Sequence, residues 1–149
     1  MNPPSYLLDL SFLIALADSN DDKHDDAKAI YTALVDDFVE QRCLLVARAD
    51  HLEAVESPDL FAAIDKLHIA RQHRSAAADL VERSDVGLED AITMVLIHRC
   101  RIRKVATFNE ALARYDIELI SAPPTDAPNF VAGDDLGVSA TTKLEPEAG

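Results

Sequence analysis

The chain predicts an α/β fold, a three-layer α/β/α sandwich around a mainly parallel sheet. Two observations carry that reading. Short apolar, β-leaning runs alternate along the chain with stretches of helical period. The first of those runs, Tyr6-Leu7-Leu8, passes through Asp9 straight into an apolar helical stretch. A strand that short cannot stand alone and is expected at the centre of a parallel sheet. Asp9 then lies where a buried strand delivers its C-terminal end to a helix, the place where open α/β sheets bind ligands.

The 149 residues suit one domain, and the 48% apolar content is ordinary for a globular core. No run approaches the roughly 18 apolar residues needed to span a bilayer. No signal peptide is read at the N-terminus, so a cytoplasmic protein without membrane contact is expected. Cys43 and Cys100, the two cysteines, lack metal spacing and are read as reduced and buried. Twenty-seven acids against 14 lysines and arginines give a net charge of -13. That argues against a protein holding nucleic acid on a broad basic surface. It does not exclude a nuclease that meets its substrate through divalent metal ions, and acidity also serves solubility.

The elements follow in order. After Tyr6 to Leu8 a helix runs from about Leu10 or Ser11 to Ala17, and Asp18-Ser19-Asn20-Asp21-Asp22 is a turn-rich loop. Ala27, Ile30, Tyr31, Leu34, Val35 and Phe38 share one face of a helix from about Asp25 to Gln41. Asp25 and Asp26 suit its N-terminal dipole. Cys43 to Ala47 is a second strand, followed by a helix over Asp50 to Glu56 that Pro58 terminates. Asp59 to Lys66 reads as helix with Leu60, Phe61 and Ile64 inward, and Leu67 to Ala70 as a third short strand. Ser75 to Arg83 is an Ala-rich helix, broken by Ser84-Asp85-Val86-Gly87. Leu88 to Arg99 is apolar almost all round, hence buried. Lys104 to Thr107 is a strand, Asn109 to Arg114 a short helix and Ile117 to Ile120 a last strand. Residues 1–120 form the predicted domain. Residues 121–149, with four prolines, three of the four glycines, five acids and one lysine, read as a loosely ordered acidic tail.

Several acids then ask for an explanation. Asp9 ends the first strand, and its alternative reading is a helix N-cap. Glu53 lies on the helix after the second strand, with Glu56 three residues on as a competitor. Asp90 enters the apolar helix just past Gly87, where a lone carboxylate is costly unless paired or on metal, its alternative reading being stabilisation by the helix N-terminal dipole. Glu89 points elsewhere by the 100° helical step. Thr107, Asn109 and Glu110 bring hydroxyl, amide and carboxylate to a strand end, although Asn109 is also a plausible helix cap. Mg²⁺ and Mn²⁺ are hard ions that take such oxygens, keep several waters and bridge to phosphate. Carboxylates converging at strand ends could hold one or two of them and support phosphodiester hydrolysis.

The motifs Tyr6-Leu7-Leu8-Asp9-Leu10-Ser11-Phe12-Leu13-Ile14-Ala15-Leu16, His24 with Ala27, Gly87-Leu88-Glu89-Asp90-Ala91-Ile92 and Val105-Ala106-Thr107-Phe108-Asn109 resemble a PIN domain. The likeness is in particular to the VapC-type toxin ribonucleases of toxin–antitoxin pairs, and it spans most of residues 5–120. It implies a PIN-like sandwich, Mg²⁺- or Mn²⁺-dependent RNA cleavage, often a homodimer, and a cognate antitoxin as partner. The family's carboxylates fall on Asp9, Glu53 and Asp90, with Asp9 and Asp90 as metal ligands. Thr107 matches a supporting hydroxyl, and Ser11 is a secondary candidate. Where the family often has an acid, at position 109 or three residues later, this chain has Asn109 and Leu112. Glu110 would substitute only with a shift of register. Leu10 stands where the family has a small polar residue.

Three functions are therefore weighed. One is a metal-dependent endoribonuclease, the toxin of a pair. A second is a PIN-like scaffold that has lost catalysis and binds RNA or protein. A third is an unrelated phosphoryl-transfer protein using Asp9, but a haloacid-dehalogenase type needs an acid at position 11, which is Ser11. Basic residues for an RNA substrate include Arg48, Arg71, His73 and Arg74. The Arg99 to Lys104 group is expected at the N-terminal edge of the sheet, away from the acids.

Overall fold

Five short parallel strands and five α-helices build the chain in the computed structural model, which describes residues 3–56 and 62–123. The strands are β1 (Ser5–Leu8), β2 (Leu44–Arg48), β3 (Asp65–Leu67), β4 (Ile102–Ala106) and β5 (Leu119–Ile120). The helices are α1 (Leu10–Ala17), α2 (His24–Val39), α3 (Ala49–Val55), α4 (Arg71–Arg83) and α5 (Leu88–Arg99), with a 3-10 turn at Glu110–Arg114. Strand order is β3-β2-β1-β4-β5, and every pairing is parallel. The chain moves outward from β1 through β2 to β3, then crosses back to β4 on the other side of β1. The order reverses between β1 and β4, which opens a crevice at their C-terminal ends.

Strand periodicity divides the core between the two faces of the sheet. Leu8, Leu45, Ala47 and Ala106 pack with Phe12, Leu16, Ile30, Leu34 and Leu52 from the first three helices. Leu7, Val46 and Val105 face the other way, where Ile97 of α5 packs against them. Helices α4 and α5 join through Ala77, Ala91, Ile92, Val95 and Leu96. Three layers result, as the alternation of elements predicts. In α5 the buried side is wide, but Glu89, His98 and Arg99 remain exposed.

The main correction concerns residues 59–70. Asp65 and Lys66, expected in a helix, form β3 with Leu67, so the third strand begins two residues before the expected Leu67 start. Val46, Ala47 and Arg48 of β2 pair with Asp65, Lys66 and Leu67. An unpaired edge of β2 would leave backbone donors and acceptors open, and satisfying them outweighs local helical preference. Ile64 is buried as expected, whereas Pro58, Leu60 and Phe61 lie outside the described residues. Helix α4 starts at Arg71 rather than Ser75, because the Ala70 N–H donates to His73 Nδ1 at 3.0 Å and closes the first turn. The expected acidic tail lies outside the described residues from position 124 onward.

Cys43 and Cys100 are free thiols, the first buried and the second half-buried, and burial pushes both thiol pKa values up. Among the described residues no helix is long and apolar enough to cross a membrane. Arg101 and Arg103 flank the start of β4, the edge of the sheet opposite Asp9. Lys104 there pairs with Glu118 at 3.3 Å and lies over the Tyr6 ring.

Phe12 is fully buried beneath the crevice and stacks on Phe108, with ring centroids 5.8 Å apart. Phe12→Ala is expected to cost about 3–5 kcal/mol of unfolding free energy, read from urea denaturation. A loss under about 1 kcal/mol would show that this contact does not support the crevice.

Candidate functional site

Asp9 is the residue before α1 and 8% exposed, yet its carboxylate makes no capping bond to the helix. It is turned to hydroxyls instead. Thr107 Oγ1 donates to Asp9 Oδ2 at 2.9 Å, and Ser11 Oγ reaches the same oxygen at 3.2 Å. The two hydroxyls are 3.0 Å apart, and Ser11 Oγ also accepts the Phe108 N–H. The Asp9 N–H donates to the Ala106 carbonyl at 2.9 Å. Backbone and side chain together therefore hold the end of β1 against the end of β4. Oδ1 of Asp9 carries no hydrogen bond among the described residues.

A cleft of about 280 Å³ opens beside this oxygen, lined by Asp9, Leu10, Ser11, Ile14, Arg48, His51, Glu89, Asp90, Thr93 and Asn109. Asp90 arrives on the first turn of α5, half-buried, and makes no hydrogen bond or ion pair among the described residues. Asn109 arrives from the end of β4 and does act as a helix cap, its Oδ1 accepting the Ala111 N–H at 3.1 Å. Its amide oxygen is thus partly committed. Of the residues that sequence singles out, the fold brings Asp9, Ser11, Asp90 and Asn109 to one cleft, with Thr107 buried directly behind Asp9.

Others stay apart from it. Glu53 is exposed on α3 and does not line the cleft. The turn of α3 that reaches it carries His51, while Leu52 fills the core. Glu56 ends α3 in a left-handed conformation with φ 56°, exposed. Glu110 is exposed in the first turn of the 3-10 helix and does not line the cleft either.

A second group of residues meets here around Arg48, which the sequence offers only as one of the basic residues for an RNA substrate. Arg48 is only 2% exposed at the end of β2. Its guanidinium donates Nε to Asp50 Oδ1 at 3.1 Å and Nη2 to Asp50 Oδ2 at 2.7 Å. It also donates to Glu89 Oε1 at 3.1 Å, Thr93 Oγ1 at 3.2 Å and the Glu89 carbonyl at 3.4 Å. Glu89, expected to point away from Asp90, lines the same cleft, because its long side chain bends to this cation. A charged residue closing the apolar run Leu44-Leu45-Val46-Ala47 was the available signal. A buried arginine needs partners.

Burial raises the Asp50 carboxyl, but the hydrogen bond and charge of Arg48 outweigh it and hold its pKa down. His51 is held below its ordinary 6.5, first by burial and then by the Arg48 charge. Its Nδ1 is buried without a partner.

The cleft offers oxygen donors of the kind a hard divalent cation takes. Asp9 and Asp90 each present carboxylate oxygen free of protein hydrogen bonds, and such ions take oxygen ligands. Asp50, His51 and Glu89 form a second group, with one ligand atom from each lying within 4.8 Å of the others. Arg48 already bridges its two acids.

No family model matches this sequence, and no curated protein matches it. Among solved structures the chain is similar to VapC20 of Mycobacterium tuberculosis, a toxin that cleaves the sarcin–ricin loop. The TM-score is 0.58 at 14% identity, and the match covers 75% of this chain and 95% of that one. At that identity the likeness extends to the fold, which is PIN-like.

The depressed His51 pKa has a consequence for stability. The imidazole takes a proton less readily folded than unfolded, so this contribution is complete above about pH 6.5 and is lost as pH falls through the lower folded value. His51→Gln should flatten the fall in unfolding free energy between about pH 7 and pH 5 relative to wild type. Parallel slopes for the two proteins would refute this.

Proposed function

We propose that the chain is a PIN-type endoribonuclease that depends on Mg²⁺ or Mn²⁺ and serves as the toxin of a toxin–antitoxin pair. The observation that carries the proposal is the convergence of Asp9, Asp90 and Asn109, from three separate elements, on one cleft at the switch point of the sheet. The likeness in fold to an RNA-cleaving toxin supports it. RNA is the substrate, and an antitoxin protein, a second copy of the chain and a cytoplasmic setting complete the reading.

Asp9 and Asp90 would hold the ion. A divalent ion at such a site lowers the pKa of a coordinated water and offsets charge developing on phosphate. Thr107 and Ser11 orient the Asp9 carboxylate by binding one of its oxygens and leaving the other open. Asn109 can turn its Nδ2 donor to substrate while Oδ1 caps the turn.

One observation favours the second reading, a scaffold with weakened catalysis. Arg48 occupies the acidic end of the cleft, and Glu53 stands outside it. In that case RNA or protein binds without turnover.

Cleavage of a structured RNA in Mn²⁺ distinguishes the two. Asp9→Asn and Asp90→Asn should each abolish cleavage and reduce the heat of Mn²⁺ binding. Thr107→Val should weaken metal binding by about 10–100-fold, as expected when a ligand loses its orienting partner. Cleavage that survives Asp90→Asn, or equal heats in wild type and Asp9→Asn, would sink the nuclease reading. RNA binding without cleavage would establish the scaffold.

A further inference from the structure

We infer that the Arg48 guanidinium is a built-in cation filling the Asp50–His51–Glu89 position of the cleft, and that this position admits a divalent ion only when Arg48 is removed. The inference extends the proposed nuclease, in which the metal belongs to Asp9 and Asp90, but it rests on different residues.

The hydrogen bonds of Arg48 decide its role. A guanidinium has five N–H donors. Nε is used on Asp50 Oδ1. The two on Nη1 go to the Glu89 carbonyl and Thr93 Oγ1. The two on Nη2 go to Asp50 Oδ2 and Glu89 Oε1. None remains for a phosphate. An arginine poised to grip RNA keeps part of its fork open, whereas this one is saturated and 2% exposed. Its backbone is fixed as well, since Arg48 pairs with Leu67 across β2 and β3. The side chain acts as a tethered counter-charge.

The place it occupies has the donors of a cation site. Asp50, His51 and Glu89 bring two carboxylates and an imidazole within 4.8 Å of one another. Exposed acids alone would signify little. His51 adds an independent sign: it is 8% exposed, lines the cleft, and holds a buried Nδ1 with no partner. Arg48 satisfies the two acids but has no N–H left for that ring. A metal ion can bind both carboxylates and imidazole. Asp50 and Glu89 remain accessible from solvent, so removing Arg48 does not strand them in the core.

Mn²⁺ binding stoichiometry tests this, counted by electron paramagnetic resonance of free ion and by calorimetry. Arg48→Met, which keeps an apolar stem in the buried space, should bind one more ion per chain than wild type. The added ion should disappear in Arg48→Met combined with Glu89→Gln. Equal counts in wild type and a folded Arg48→Met protein would overturn the inference. Should Arg48→Met fail to fold by circular dichroism, Asp50→Asn with Glu89→Gln in the wild-type background gives the answer from two exposed positions. An unchanged count supports the inference, and a count lower by one places an ion beside Arg48 and overturns it. Asp9→Asn separates the two proposals, since it should remove the ion of the nuclease reading and leave the ion gained in Arg48→Met in place. A wild-type chain that binds no ion defeats the nuclease reading, while a gain of one ion in Arg48→Met still upholds the role of Arg48.

Discussion

The junction between β1 and β4 is the constraint on which the rest depends. Both strands are central, and both end in residues that bind each other. The Asp9 amide donates to Ala106, and Thr107 donates to the Asp9 carboxylate. Ser11, in the first turn of α1, donates to the same carboxylate, lies 3.0 Å from the Thr107 hydroxyl and accepts the Phe108 amide. The contacts across the junction bridge 96 to 98 positions of sequence. They set the strand ends level, and a level edge lets α5 deliver Asp90 to the same cleft. The backbone ladder of β1 and β4 already joins the two halves of the sheet, and this joint extends it to the floor of the crevice.

The cleft balances charge unevenly. Asp9 is held by neutral hydroxyls, which fix its orientation without cancelling its charge. Asp50 and Glu89, by contrast, are drawn to a guanidinium that the chain itself supplies. One end therefore keeps its carboxylates open to an external cation, and the other end is closed by an internal one. Ion pairs between a buried guanidinium and solvent-accessible carboxylates gain little net stability, because desolvation of the cation offsets the attraction. Their effect is to hold a geometry, here by tying the end of β2 to the first turn of α5.

Much of this was legible from local pattern. Asp9 stands between an apolar strand and an apolar helix, and Asp90 opens a helix with a wide apolar face, so chain order alone brought both under suspicion. Thr107 and Ser11 were visible as hydroxyls at the same strand ends. The strand at Asp65–Leu67 was not, because three residues carry no period and its formation answers the open edge of β2. The placement of Glu53 outside the cleft was not legible for a related reason. On a helix as short as Ala49–Val55 the side facing the cleft follows from how Leu52 packs into the core, and spacing from the strand does not reveal it.

By itself, the sequence determined the α/β layers, the central place of β1 and the candidacy of Asp9 and Asp90, since periodicity and strand-to-helix junctions are local properties. Only the tertiary structure decided which acids meet, that the Asp9 carboxylate binds hydroxyls rather than capping its helix, and that Arg48 closes one end of the cleft. These outcomes depend on contacts between residues some 40 to 100 positions apart. In such contacts the cost of burying a charge is settled by whatever partner the fold places beside it.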